Sequence, residues 1–330
     1  MQQSYIITQI KPDIFRISLP MKGRLPGPVN VYLIKGEVTT LIDTGAKSTR
    51  FLLLQALNEL GLQPQDIDQL IITHGHPDHF GAANFIRSQS HCVVYAHTQD
   101  KYRIENNQDN THKQQKNFLK LTGMPWVCKK ASQFLGYVLK QMAEKCRVDM
   151  TVEEDDTILV GDYQARIIHT PGHAKGCICI HLLEPNFLFS GDLILEHITP
   201  NPVVMFEPTA MLPVRLSQEE FYSSVNKILD LDPICIFTGH GREVSDLPAV
   251  IAMYNKQFSQ RQRQILNVLE SGQYNAYQIT CKIFSHLKNK AFLLNIFLAT
   301  SEVFTHLQVL EKNNKVVSRL DKKQMIYALR

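Results

Sequence analysis

Three histidines and one aspartate crowd into six residues, His74-Gly-His-Pro-Asp-His79, directly after an apolar run ending at Ile72 and Thr73. Imidazole nitrogens and carboxylate oxygens are the ordinary ligands of zinc and related divalent metals. A strand end followed by a tight turn projects alternate side chains toward one point. His74 and His76 can therefore share one cation, while Asp78 and His79, a step further round, reach a second. A lone histidine in such a loop is usually solvated or structural. Four donors in HxHxDH order are not explained that way.

Three later segments fit the same chemistry. Thr170-Pro-Gly-His173 places a histidine in a Pro-Gly turn after a strand, Ser190-Gly-Asp192 puts a carboxylate at a strand end, and Thr238-Gly-His240-Gly does the same with another histidine. Each is weak alone; their order after HxHxDH is the signal. With Asp43 in Leu41-Ile-Asp-Thr-Gly, the series resembles the five ordered motifs of the metallo-β-lactamase superfamily over about residues 5–250.

That resemblance implies an α/β fold, an αβ/βα sandwich with two divalent metals at the sheet edge. Carried over by position, His74, His76 and His173 hold the first metal, Asp78, His79 and His240 the second, and Asp192 bridges them. Asp43 supports the site from behind its ligands. Zinc is the first expectation, and the same donors accept iron or manganese. The nucleophile is then a hydroxide shared by the metals, so neither serine nor cysteine is required. Asp78 and Asp192 are the catalytic candidates; Asp78 either orients the hydroxide and takes a proton or serves as a ligand alone. His76 stands where flavo-diiron relatives carry glutamate, which favours a hydrolase, and His169-Thr-Pro-Gly-His173 is similar to the glyoxalase II pattern. His197 is open between a substrate-facing acid and an ordinary loop histidine.

The elements that must position these residues begin with short β-branched runs, Tyr5–Ile10, Ile14–Ser18, Val29–Lys35 and Val38–Asp43. Ser48 is placed to cap a helix carrying Phe51, Leu54 and Leu57. Phe80–Arg87 reads as a helix and Cys92–Ala96 as a strand. Residues 98–150 turn polar and helical. Phe134, Leu135, Val138, Leu139 and Met142 recur there at helical spacing, so a helical insert is expected, with that stripe in core contact and Trp126 as its anchor. Strands resume between Ile158 and Ser190. Ser217 with Glu220 has the capping-box pattern for a helix through Leu229, and Ile234–Phe237 is one more strand. Past Asp246 come three helical segments and a hairpin around Asp321-Lys-Lys, the outline of a winged helix. The expected division is a catalytic domain at 1–250 and a small winged-helix-like domain at 251–330.

Composition bounds what this architecture can serve. The chain of 330 residues is 44% hydrophobic and 20% charged, which excludes a disordered or fibrous protein. Seven cysteines without a CxxC pair exclude a disulfide framework or a cysteine zinc site and point to the reducing cytoplasm. The start lacks the pattern of a secretory signal, and no apolar run approaches the roughly 18 residues of a membrane span, so no membrane partner is expected. The net charge of +4 conceals a division. Residues 256–330 hold 12 basic against 4 acidic side chains and residues 98–150 hold 10 against 5, which leaves the remaining core at −9.

Three functions follow as alternatives. The first is a dinuclear-metal hydrolase of small thioesters, esters or lactones. The second is a phosphodiesterase or ribonuclease whose basic insert and C-terminal domain grip RNA. Arg261-Gln-Arg263-Gln-Ile-Leu and Ala276-Tyr-Gln-Ile279 are similar to the lactamase-beta-like branch, which includes a mitochondrial endoribonuclease. The third is a regulatory protein that keeps a vestigial metal site. The C-terminal module serves packing or homodimer formation as readily as nucleic-acid binding.

Overall fold

The structure, a computed structural model, describes residues 4–21, 26–108, 111–200, 202–207, 209–210, 213–284 and 290–330, without the side chains at 112, 129, 132, 135 and 290–294. Seven strands form a first sheet in chain order: β1 (Ile6–Lys11), β2 (Ile14–Leu19), β3 (Val29–Ile34), β4 (Thr40–Ile42), β5 (Gln69–Ile72), β6 (Val93–His97) and β7 (Met150–Val152). Pairing is antiparallel from β1 to β4 and parallel from β4 to β7. Parallel neighbours need crossovers. These are supplied by α1 (Arg50–Glu59), by α2 (Pro77–Phe80) with α3 (Ala83–Ser90), and by α4 (Thr98–Asn106), α5 (His112–Leu121) and α6 (Trp126–Lys140).

A second sheet has the order β12-β11-β10-β9-β8, with β8 at Thr157–Val160, β9 at Tyr163–His169, β10 at Ile178–Leu182, β11 at Phe187–Gly191 and β12 at Cys235–Thr238. Strands β11 and β12 are its parallel pair, and α7 (Ser217–Leu231) lies between them in sequence.

Alternation along β3 shows why the sheets stack. Val29, Val31 and Leu33 point into a core with Leu53 and Leu57 of α1 and Ile86 of α3. Tyr32 and Ile34 point to the other face, against Ile167, Ile180, Phe189 and Phe237 of the second sheet. A strand buried on both faces reads as a continuous apolar run, which is what VNVYLI is. The result is a sheet-on-sheet sandwich with helices outside. No described helix is long and apolar enough to cross a membrane.

The chain divides into two compact units. The first comprises 1–109, 139–200 and 223–250, and the second 110–138, 201–222 and 251–330. The second contains most of α8 (Leu247–Glu270), then β13 (Tyr274–Asn275), α9 (Ala276–Ile283), α10 (Lys290–Lys312) and the hairpin β14 (Val316–Asp321) and β15 (Gln324–Leu329). Strand β15 is the middle of a three-stranded sheet. Asn275 caps α9 through a box in which its side chain accepts from Gln278 N at 2.8 Å and Gln278 Oε1 accepts from Asn275 N at 3.0 Å. Lys322 and Lys323, with φ of 45° and 72°, make the two-residue hairpin turn.

Several expectations are corrected. The insert at 98–150 is not one body. Ile104 of α4 packs in the first unit's core, whereas Phe118 and Leu121 of α5 share a core with Val204, Phe206, Ile279, Val303 and Leu307. Trp126 is 68% exposed, and Phe134, Val138 and Leu139 are exposed as well, so neither the anchor nor the core stripe forms; the Leu135 side chain lies outside the described residues. Ser48 sits in a single 3-10 turn, and α1 starts after Thr49 with no side-chain cap. Ser217 Oγ is buried without a hydrogen-bond partner while Glu220 pairs with Arg215, so the capping box expected there is absent. The helix expected at Phe80–Arg87 is split around Gly81, where a Cβ would stand 2.4 Å from the Met142 carbonyl oxygen.

Candidate metal centre

Each ligand expected from sequence follows a strand of the sandwich. Asp43 follows β4, His74 to His79 follow β5, His173 lies in the turn between β9 and β10, Asp192 follows β11 and His240 follows β12. The ends of parallel strands open toward one side, where side chains from distant parts of the chain converge. Three groups of donors come together: His74, His76 and His173; His74, His79 and Asp192; and Asp78, His79 and His240, each with its ligand atoms within 4.8 Å of one another.

Hydrogen bonds aim the rings. Asp43 is 2% exposed and adopts a φ of 61°, a left-handed conformation that turns its carboxylate back toward the β5 loop. That carboxylate accepts from Thr73 N at 2.9 Å, from Thr73 Oγ1 at 2.7 Å and from His79 Nδ1 at 2.8 Å. The Thr73 oxygen in turn accepts from His74 Nδ1 at 3.1 Å, and the Pro28 carbonyl accepts from His240 Nδ1 at 3.0 Å. With Nδ1 engaged behind it, each of His74, His79 and His240 presents Nε2 forward. Those three Nε2 atoms are buried without a hydrogen-bond partner. Asp192 Oδ1 is buried in the same condition.

Orphaned buried polar atoms are costly unless something holds them, and the spacing says what. Donor atoms on one tetrahedral zinc, each about 2.0–2.1 Å from it, lie about 3.3 Å apart. His79 Nε2 is 3.4 Å from Asp192 Oδ1, and His240 Nε2 is 3.5 Å from Asp78 Oδ2. Asp192 Oδ2 is 3.6 Å from both His173 Nε2 and His240 Nε2, a place between the first and last groups. His76 Nδ1 and His173 Nε2 are closer, at 2.9 Å. The residues fit a pair of divalent cations.

Electrostatics agree with the geometry. Burial and the neighbouring imidazoles of His79 and His76 push His74 well below the usual histidine range, and burial with His173 and Arg103 does the same to His76. Burial also lowers His173. Burial opposes a charge on His79 too, but the carboxylates of Asp192 and Asp43 outweigh it and hold this ring well above its ordinary value. Carboxylates that attract a proton there attract a metal cation equally. Close backbone approach completes the cradle: a Cβ on Gly239 would stand 2.3 Å from Asp192 Oδ1 and 2.9 Å from His79 Cε1.

Residues 24–240 match the family profile described as the Metallo-beta-lactamase superfamily. The chain belongs to that superfamily, and it is a metal-dependent hydrolase with an α/β sandwich. It is 27% identical over 313 residues to a probable metallo-hydrolase, YqjP, of Bacillus subtilis, across 93% of this chain and 94% of that one. A beta-lactamase-like protein 2 homolog of Drosophila melanogaster is 27% identical across 79% of this chain and 75% of its own. A metallo-beta-lactamase family protein of Thermus thermophilus has the same fold, with a TM-score of 0.82 at 22% identity over 98% of this chain and all of the other.

His197 joins none of the donor groups. It is exposed, and its Nε2 bonds to the Pro26 carbonyl at 2.9 Å. Sequence reading missed Thr73, whose hydroxyl links His74 to Asp43, and the Pro28 carbonyl behind His240, because neither carries a motif of its own. It also passed over Asp100 and Arg103 on α4, which reach the β5 loop.

Proposed function

We propose that the chain is a dinuclear-metal hydrolase of small thioesters, esters or lactones. The observation that carries the reading is Asp192, whose Oδ2 lies 3.6 Å from a histidine of each of two candidate donor groups. Two divalent cations held by these residues, zinc first and iron or manganese by the same donors, would supply a water whose pKa falls to about 7 and a Lewis acid for the electrophile's oxygen. The chain's own groups do the rest. His74, His76 and His173 stay neutral as ligands, Asp43 fixes the ring of His79, and Asp78 is our candidate to orient the water and accept its proton.

Charge favours an uncharged electrophile at this site. The first unit holds 17 basic and 24 acidic side chains, a net of −7, and two divalent cations leave it near −3. A second reading has an observation of its own. The second unit, with a winged-helix-like order of helices and hairpin, holds 18 basic against 7 acidic side chains, a net of +11. A surplus of that size suits phosphate backbone contact, and RNA is the substrate of this alternative. Seven free thiols support a reducing cytoplasm.

The purified chain, loaded in turn with zinc, manganese and iron, should be assayed on an acyl thioester, a lactone, bis-p-nitrophenyl phosphate and single-stranded RNA. Acyl hydrolysis that varies little between about 50 and 300 mM salt is expected. RNA cleavage that falls steeply over the same range, with no acyl turnover, would replace the first reading by the second.

A further inference from the structure

His74 and His76 stand on the loop after β5, and His173 stands on the turn after β9, in the other sheet. A single ladder of strand pairing therefore does not set the distance between these loops. One backbone bond, from Ile178 N to the Thr73 carbonyl at 2.9 Å, joins them near their bases. Nearer the histidines, beyond the 2.9 Å contact of His76 Nδ1 with His173 Nε2, the backbones of the two loops are joined through a side chain from neither loop.

Asp100, on the first turn of α4, is 3% exposed. Its Oδ2 accepts from the N–H of Gly75, the residue between the two histidines, at 2.7 Å. Its Oδ1 accepts from the N–H of Gly176, three residues past His173, at 3.1 Å. Arg103, further along α4, donates Nε–H to the Gly75 carbonyl at 2.6 Å. Both peptide groups flanking Gly75 are thus held from one helix by charge-assisted bonds. The fit is tight on each side. A Cβ on Gly75 would stand 2.9 Å from Arg103 Cδ, and one on Gly176 would stand 2.8 Å from Asp100 Cβ and Cγ.

A buried aspartate near a helix N-terminus often does no more than satisfy whatever N–H groups lie close. Here the two N–H groups belong to the two loops that carry one donor group. We propose that Asp100, supported by Arg103, is the positioning residue that sets the separation of the loops bearing His74, His76 and His173, and with it that group's affinity for its cation. The proposal rests on reading those three histidines as ligands of one divalent cation. It adds to the ordered motifs a residue from the segment that follows β6.

The test is cobalt(II) titration of the full chain, read by visible absorption and by competition with a chelator. The first group is isolated in an Asp78→Ala background and the second in a His76→Ala background. Asp100→Asn keeps one acceptor oxygen and sets an N–H group against a backbone N–H. It is expected to weaken the first group about 10–100-fold, the usual effect of losing a residue that orients metal ligands, and to leave the second unchanged. A merely structural role would lower the melting temperature of the metal-free chain and leave both affinities as they were, and that result overturns the proposal. Should Asp100→Asn fail to fold, Gly176→Ala pushes on the same carboxylate from the other loop. Weakening of the first group supports the proposal, and unaltered binding in a folded Gly176→Ala chain overturns it. A chain with its natural sequence that binds no cobalt overturns the metal reading together with this one, whereas two bound ions unaffected by Asp100→Asn overturn this one alone.

Discussion

At the scale of single residues, Asp43 and Asp192 do different work that their shared chemistry conceals. Asp43 touches no other donor than His79 and acts through hydrogen bonds to Thr73 and that ring. Asp43→Ala should therefore weaken metal binding about 10–100-fold without deleting a ligand, as chelator competition would show. Asp192 stands between groups, so Asp192→Ala should strip metal and activity from the whole site. Asp78→Ala should leave the group of His74, His76 and His173 occupied. Elemental analysis of the two variants separates these outcomes: equal metal loss in both would contradict a bridging place for Asp192. The seven candidate donors could be singled out from residue type, order and the family resemblance. Thr73 and Asp100 were not, since a threonine after a strand and an aspartate on a polar helix are commonplace until their partners are known.

At the scale of elements, the site depends on how strands end. The backbone just past β12 runs so close to Asp192 that Gly239 has no space for a methyl group. Gly239→Ala should displace the carboxylate, abolish metal binding and lower metal-free stability by about 1–3 kcal/mol, the ordinary cost of overpacking. Metal content and thermal melting of the variant would check both parts. Strands β3, β5, β10 and β11 were readable because a strand buried on two faces is an apolar run bounded by Pro, Gly and Asp. The failures differ in cause. The stripe from Phe134 to Leu139 has helical spacing, and spacing reports a helix without reporting which face finds a partner. Trp126 and Phe134 are exposed for that reason. Ser217 had the right neighbours for a cap, yet Arg215 took Glu220.

At the scale of the whole molecule, the charge division follows the two compact units more closely than it follows the chain. Residues 110–138 carry five lysines and no acidic side chain, and they belong to the same unit as the basic C-terminal segment. That unit also holds an acid-sensitive group. His306 is buried beside Phe258, and burial together with the Arg261 charge pushes its pKa down from 6.5 to about 3. The unfolded chain then binds a proton that the folded chain refuses. The neutral ring's contribution is complete above about pH 6.5 and falls by about 1.4 kcal/mol per unit as pH drops toward about 3. Denaturant melts of the metal-free chain should show that slope, and His306→Leu should flatten it; an unchanged slope would place the acid sensitivity elsewhere.

What the sequence determined by itself was the candidate donors, their order and the strands that deliver them, because ligand chemistry and two-residue alternation are local properties. The tertiary structure alone decided which donors group together, where Asp192 stands between them, and that α5 shares a core with the C-terminal helices. It also brought Asp100 to both ligand loops. Those are long-range contacts between segments that carry no mark of each other, and they exist only once the elements of each unit have packed and burial has selected the partners.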